Sequence, residues 1–254
     1  MSSILKVNNM TKDFGGLRAI DSVSFKIEEG EFVGLIGPNG CGKTTTFNCI
    51  SGLLDATEGD VEIFGEDATK LRPDQIQKLG LTRTFQHTLL WREMTAIENL
   101  LVPPRYQFGA NPLEALFTYF KRNEEEERLA KAYETLESLE ITHMAHNLTS
   151  ELSGGQSKLV DIGRALMGEP QLLLLDEPVA GVAGPLSEKI FTNLRRIVSE
   201  TKISILVIEH NMDFILRAGV DRIIVMDQGK VLMEGTPDEV KDSKEVIEAY
   251  LGGQ

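Results

Sequence analysis

The sequence is poor in cysteine, in aromatic residues and in positive charge, and it has no long apolar run. Cys41 and Cys49 are its two cysteines. Neither has the spacing of a metal site or of a disulfide framework, so a reducing compartment fits the chain best. Lys and Arg number 26 against 39 Asp and Glu, a formal net charge of −13. That balance argues against binding nucleic acid by phosphate neutralisation, and against direct adhesion to anionic lipid. No stretch approaches the ~20 apolar residues that a membrane-spanning helix needs. The start, Met1 to Val7, lacks a basic region followed by an apolar core, so no export signal is expected. What remains is a 254-residue chain, 41% hydrophobic and 26% charged, long enough for one large domain or two lobes.

The most informative stretch is Gly37-Pro38-Asn39-Gly40-Cys41-Gly42-Lys43-Thr44-Thr45, which fits G-x-x-x-x-G-K-[ST] from Gly37 to Thr44. The apolar run Phe32–Ile36 before it reads as a buried parallel strand. Thr45 to Leu53 after it is compatible with a helix. Strand, glycine loop and helix together make a phosphate-binding loop, with backbone N–H groups and a helix N-terminus facing one anion. Lys43 reaches the β- and γ-phosphates in such a loop, and the Thr44 hydroxyl can hold Mg²⁺. A plain glycine-rich turn before a helix would not need the Lys-Thr pair. The site is read as one for a nucleotide.

Along the chain, strands are expected near Leu5–Lys12, Ser22–Ile27, Phe32–Ile36 and Val61–Phe64, and a short helix from Pro73 to Leu79. From His87 to Ser150 strand signals almost vanish. Thr95 opens a helix stopped by Pro103-Pro104, an aromatic-rich stretch runs from Tyr106 to Phe120, and Arg122–Leu139 follows a long amphipathic pattern. After Ser157, helices at 157–167 and 185–199 alternate with strands at 172–175 and 203–208. A hairpin follows around Asp227-Gln228-Gly229, and then a helical end from Pro237. This order implies an α/β core with a mainly parallel sheet, into which a helical lobe is inserted.

Leu172–Leu175 delivers Asp176-Glu177 to the carboxyl end of a buried strand, the edge where ligands gather in such sheets. Asp176 suits Mg²⁺ coordination through a bound water, and Glu177 suits general-base activation of an attacking water. Leu152-Ser153-Gly154-Gly155-Gln156 opens a helix and makes a second anion-binding N-terminus. Since one loop already serves one nucleotide, a second such site points to contact with another molecule's γ-phosphate. His210 follows a strand and precedes a helix, where a helix-capping role is equally open. His143 and His146 have no third ligand near them in the sequence.

Gly37–Thr45, Gln86, Leu152–Gln156, Asp176-Glu177 and His210 occur in an order that resembles the ATP-binding cassette ATPases across essentially the whole chain. The resemblance implies a P-loop NTPase core with an N-terminal antiparallel β subdomain and an inserted helical subdomain. The domains would be 1–86 with 159–254 as the core, and 87–158 as the helical signature subdomain. It implies a head-to-tail dimer, ATP and Mg²⁺ as ligands, and Phe14 stacking on adenine where tyrosine is more usual. Gln86 would touch Mg²⁺ and the attacking water. Ser153, Gly154, Gly155 and Gln156 would act in trans, and His210 would contact the γ-phosphate and steady Glu177. The loop after Pro178 ends at Ala183, where the family usually has Asp or Asn, which puts polar cross-talk between paired sites in doubt.

A narrower resemblance rests on Thr82-Arg83-Thr84-Phe85-Gln86, on Arg92 to Leu100, on Ala180-Gly181 and on the ending from Glu234. These strings are similar to the longer ATPase of branched-chain amino acid importers. That resemblance implies two permease subunits, a second cassette and an extracytoplasmic substrate-binding protein as partners. It also implies a peripheral place on the cytoplasmic face of the inner membrane, with Trp91, Leu89 and Leu90 as candidate permease contacts unless they are core of the lobe. An exporter of lipid or polysaccharide, or a soluble cassette ATPase, would share the same catalytic motifs.

Overall fold

The computed structural model describes residues 3–86, 88–102 and 118–251. The aromatic stretch expected from Tyr106 lies mostly outside them. The described chain packs as two compact units.

The first unit holds residues 1–86, 171–178 and 194–254. Strands β1 (Ser3–Phe14), β2 (Leu17–Glu28), β4 (Glu58–Ile63) and β5 (Glu66–Asp67) form an antiparallel sheet in the order β2-β1-β4-β5. A second sheet runs β10-β9-β3-β8-β7-β6, built from β3 (Phe32–Ile36), β6 (Leu81–Arg83), β7 (Leu172–Asp176), β8 (Ser204–Ile208), β9 (Arg222–Asp227) and β10 (Lys230–Gly235). Its ladders are parallel except β9 with β10, the expected hairpin.

The central strands are apolar except at their ends, where Ser204 opens β8 and Asp176 closes β7, because both sheet faces are covered. Every residue of β3, β7 and β8 is buried. Phe47 and Ile50 of helix α1 (Lys43–Ile50) enter the same core as Val7, Val23 and Leu174. Burying each such side chain contributes roughly 1.5–3 kcal/mol before entropy is charged against it. Helix α1 is shorter than the expected run to Leu53. The Ser51 hydroxyl turns back to donate to the Phe47 carbonyl at 2.7 Å, and Gly52 takes a left-handed φ of 70° that ends the helix. Helix α2 spans Pro73–Leu79 as expected.

The second unit holds residues 87–170 and 179–193, so it reaches past the 87–158 expected for the helical lobe. Its helices are α3 (Ala96–Leu101), α4 (Thr118–Ser138), α5 (Gly154–Leu166) and the first part of α6 (Gly184–Thr201). Helix α5 stays with this unit because Gly163 lies against Leu100 and Leu139. Buried Asn99 ties the preceding loop down by donating to the Trp91 and Thr95 carbonyls at 3.1 and 3.0 Å. The short helices α7 (Met212–Ile215), α8 (Pro237–Asp242) and α9 (Lys244–Leu251) complete the core's end of the chain. Among the described residues, no helix is long and apolar enough to cross a membrane.

Candidate functional site

Four neighbouring parallel strands, β3, β8, β7 and β6, each end by releasing one part of the site. Beyond β3 the backbone turns at Gly37 with φ 151°, and a Cβ there would stand 2.1 Å from the Met226 carbonyl and 2.7 Å from Cys41 Sγ. No other residue fits that turn. The loop then feeds α1, which starts at Lys43. The Lys43 ammonium is nearly buried and donates to the Gly37 and Pro38 carbonyls at 2.7 and 2.9 Å. Thr44 is exposed at the helix start and Thr45 half-buried. Cys41 is buried behind the loop, where desolvation raises its thiol pKa against the pull of Lys43.

Beyond β7 stand Asp176 and Glu177. Glu177 has a left-handed φ of 47°, uncommon for a side chain without glycine's freedom, and its N–H donates to the Ile208 carbonyl at the end of β8. This bend carries its carboxylate to Gln86, beyond β6, and to His210, beyond β8. Gln86 Nε2 donates to Glu177 Oε2 at 2.8 Å, and His210 Nδ1 stands 3.6 Å from Oε1. Glu177, Gln86 and His210, far apart in the chain, thus meet at one edge. Asp176 is held differently. Its Oδ2 accepts from the Arg83 guanidinium at 2.8 Å, with both side chains buried. In the sequence Arg83 is only part of the string Thr82–Gln86, with no chemical signal of its own.

Phe14 ends β1 and is 45% exposed, with the Lys12 ammonium 5.3 Å from its ring centre.

In the second unit Ser153 caps α5. Gln156 N–H donates to the Ser153 hydroxyl at 3.4 Å, and the Gln156 side chain accepts from Ser153 N–H at 2.8 Å, a reciprocal capping box. Gly154 is exposed. Gly155 is buried so tightly that a Cβ would meet Leu186 at 2.4 Å and Val182 at 3.0 Å. The segment 179–186 therefore seats the helix start. Leu89 and Trp91 are 63% and 47% exposed, so they are not core of this unit. Arg164 of α5 donates to the Leu89 carbonyl at 2.5 Å and lies 5.6 Å from the Trp91 ring centre. Asp161, which accepts from Arg164 at 2.6 Å, is held above the ordinary carboxylate range by burial, with Arg164 opposing.

A phosphate loop, an acidic strand end with two polar neighbours and a serine-capped glycine helix start define a nucleotide-hydrolysing cassette. The family model described as ABC transporter matches residues 20–180, and that described as branched-chain amino acid ATP-binding cassette transporter matches residues 230–254. The high-affinity branched-chain amino acid transport ATP-binding protein BraF of Pseudomonas aeruginosa is 39% identical over 250 residues, 98% of each chain. Among solved structures, the ADP conformation of MJ1267, an ATP-binding cassette of an ABC transporter, superposes with a TM-score of 0.85 at 39% identity, covering 99% of this chain and 100% of that one. A dimeric post-hydrolysis state of the cassette MJ0796, bound to ADP and Pi, gives 0.76 at 30% identity, over 92% and 98% of the chains. The chain belongs to the ABC transporter family, as an ATP-hydrolysing cassette. Within that family its full-length likeness is to the branched-chain amino acid transport ATP-binding proteins.

Proposed function

We propose that this chain is the ATP-hydrolysing motor of a membrane importer for branched-chain or related amino acids. The observation that carries the catalytic part is the Glu177 carboxylate, bonded to Gln86 at 2.8 Å and flanked by His210, on the strand edge that also bears the phosphate loop. The subtype rests on full-length likeness to BraF and on the matched C-terminal segment.

In this reading Phe14 stacks on the adenine, and the backbone N–H groups of Gly37 to Thr45 cradle the phosphates. Lys43 leaves its loop carbonyls for the γ-phosphate. Glu177 accepts a proton from water as its oxygen attacks the γ-phosphorus, and ADP departs on the opposite side. Gln86 and His210 hold the Glu177 carboxylate and the water in line. The oxygens of Thr44, Gln86 and Asp176 are a hard donor set that fits Mg²⁺. When bound, that ion neutralises charge developing between the β- and γ-phosphates. Ser153, Gly154, Gly155 and Gln156 face the γ-phosphate of a second cassette; that cassettes pair is supported by the dimeric state of MJ0796. Permease subunits, fed by an extracytoplasmic binding protein, dock on the cytoplasmic side. Exposed Leu89 and Trp91, and on the core a cleft of about 210 Å³ lined by Leu53, Ile76, Leu81 and Phe85, supply apolar receptors for them.

The test is Glu177→Gln, which keeps shape and hydrogen bonding but removes the base. ATP binding is expected to persist while turnover falls by about 10²-fold or more. Unchanged turnover would remove Glu177 from that role. Lys43→Ala is expected to weaken ATP binding at least about tenfold, measured by titration with a fluorescent ATP analogue.

A further inference from the structure

The mechanism above makes no use of Arg83, although its guanidinium is the most heavily engaged cation near the site. Its side chain is 6% exposed. One nitrogen donates to Asp176 Oδ2 at 2.8 Å. Another donates to Asn48 Oδ1 at 2.7 Å and to Ser51 Oγ at 3.0 Å. The guanidinium also lies 5.5 Å from the Phe47 ring centre and 5.3 Å from that of Phe85. One side chain thus joins three segments: α1, which opens with Lys43 and Thr44; β7, which ends in Asp176; and the stretch leading through Phe85 to Gln86. Those segments carry Thr44, Asp176 and Gln86.

A fold does not need a charge there. A buried ion pair is weak support for stability, because well-packed apolar residues often do as well or better. Here Arg83 Nε is buried with no hydrogen-bond partner, a further cost. What apolar residues could not supply is a permanent positive charge against one oxygen of Asp176, on a planar fork whose other arm is held by Asn48 and Ser51.

We propose that Arg83 is a positioning residue for the hydrolytic metal. It orients Asp176 and weakens the negative field that Asp176 presents, and so sets how tightly the nucleotide-bound site holds a divalent cation. This rests on the ATPase reading. The sign is definite: a neutral residue at 83 leaves Asp176 uncompensated, so cation affinity rises while the geometry needed for turnover is lost.

The experiment is a titration of the purified full chain, loaded with a non-hydrolysable ATP analogue, with Mn²⁺ followed by its paramagnetic resonance. Turnover and KM for ATP are measured alongside. Arg83→Met is expected to bind Mn²⁺ about 3–10-fold more tightly, with kcat at least about tenfold lower and KM for ATP little changed. Arg83→Lys retains the charge and loses the fork, so Mn²⁺ affinity stays within about twofold of the parent while kcat stays depressed. Unchanged or weaker Mn²⁺ binding in Arg83→Met overturns the proposal, and so does tightened binding in Arg83→Lys. Should Arg83→Met not unfold cooperatively, Arg83→Gln carries the same expectation. Absence of metal-dependent hydrolysis in the parent protein would instead strike the ATPase reading.

Discussion

At the residue scale, the site is a set of short-range constraints on a few polar side chains. Glu177 has left-handed backbone geometry, which carries its carboxylate to Gln86 and His210. Lys43 is folded onto the carbonyls of its own loop. The two thiols are the opposite case: burial makes them inert. Desolvation pushes the Cys49 pKa from 9.0 to about 11 and raises that of Cys41 too. At pH 8 only about a thousandth of Cys49 is thiolate, so thiol reagents are expected to label the native protein slowly and the urea-unfolded protein fast. Rapid native labelling would show that the thiols are not shielded. The sign for stability follows from linkage. A group whose pKa is raised by folding contributes fully below the unfolded value, and loses that contribution as pH climbs from about 9 through about 11. The phosphate-loop residues and the Asp176-Glu177 pair were legible because each belongs to a spaced motif. Arg83 was not, because a buried arginine announces itself only through partners 32, 35 and 93 positions away in sequence.

At the scale of elements, boundaries follow from the sequence wherever local chemistry decides and less so where packing decides. Pro73 starts α2 where its ring is harmless, and the hairpin at Asp227–Lys230 forms as expected. The end of α1 was misplaced by the stop at Ser51-Gly52, since the apolar positions beyond it belong to the following loop. The reach of the helical unit to Pro170 follows from how closely α5 approaches Leu100 and Leu139, which no periodicity reports. Capping boxes recur at Thr95, Ser153 and Thr236, each answered by a Glu or Gln three residues on. Thr236 accepts from Glu239 N–H at 3.4 Å, and Glu239 accepts from Thr236 N–H at 2.7 Å. Thr236→Ala is expected to cost about 0.5–2 kcal/mol, read from the urea midpoint at unchanged slope. An unmoved midpoint would mean that α8 is held by packing alone.

At the scale of the whole molecule, the described helices offer no membrane span and the net charge of −13 repels anionic lipid. The proposed importer role accordingly assigns membrane attachment to permease subunits, in keeping with the transport proteins the chain resembles. The purified chain is accordingly expected not to sediment with anionic vesicles, at low or physiological salt. The measurement that bears most directly on the proposed role is co-purification of the tagged chain from detergent-solubilised membranes of its own cells, with every partner identified. Two permease-type proteins and a second, distinct cassette are expected, with ATP turnover in the complex strongly lowered by Glu177→Gln. Recovery of soluble partners alone would leave an ATPase standing and contradict the importer motor.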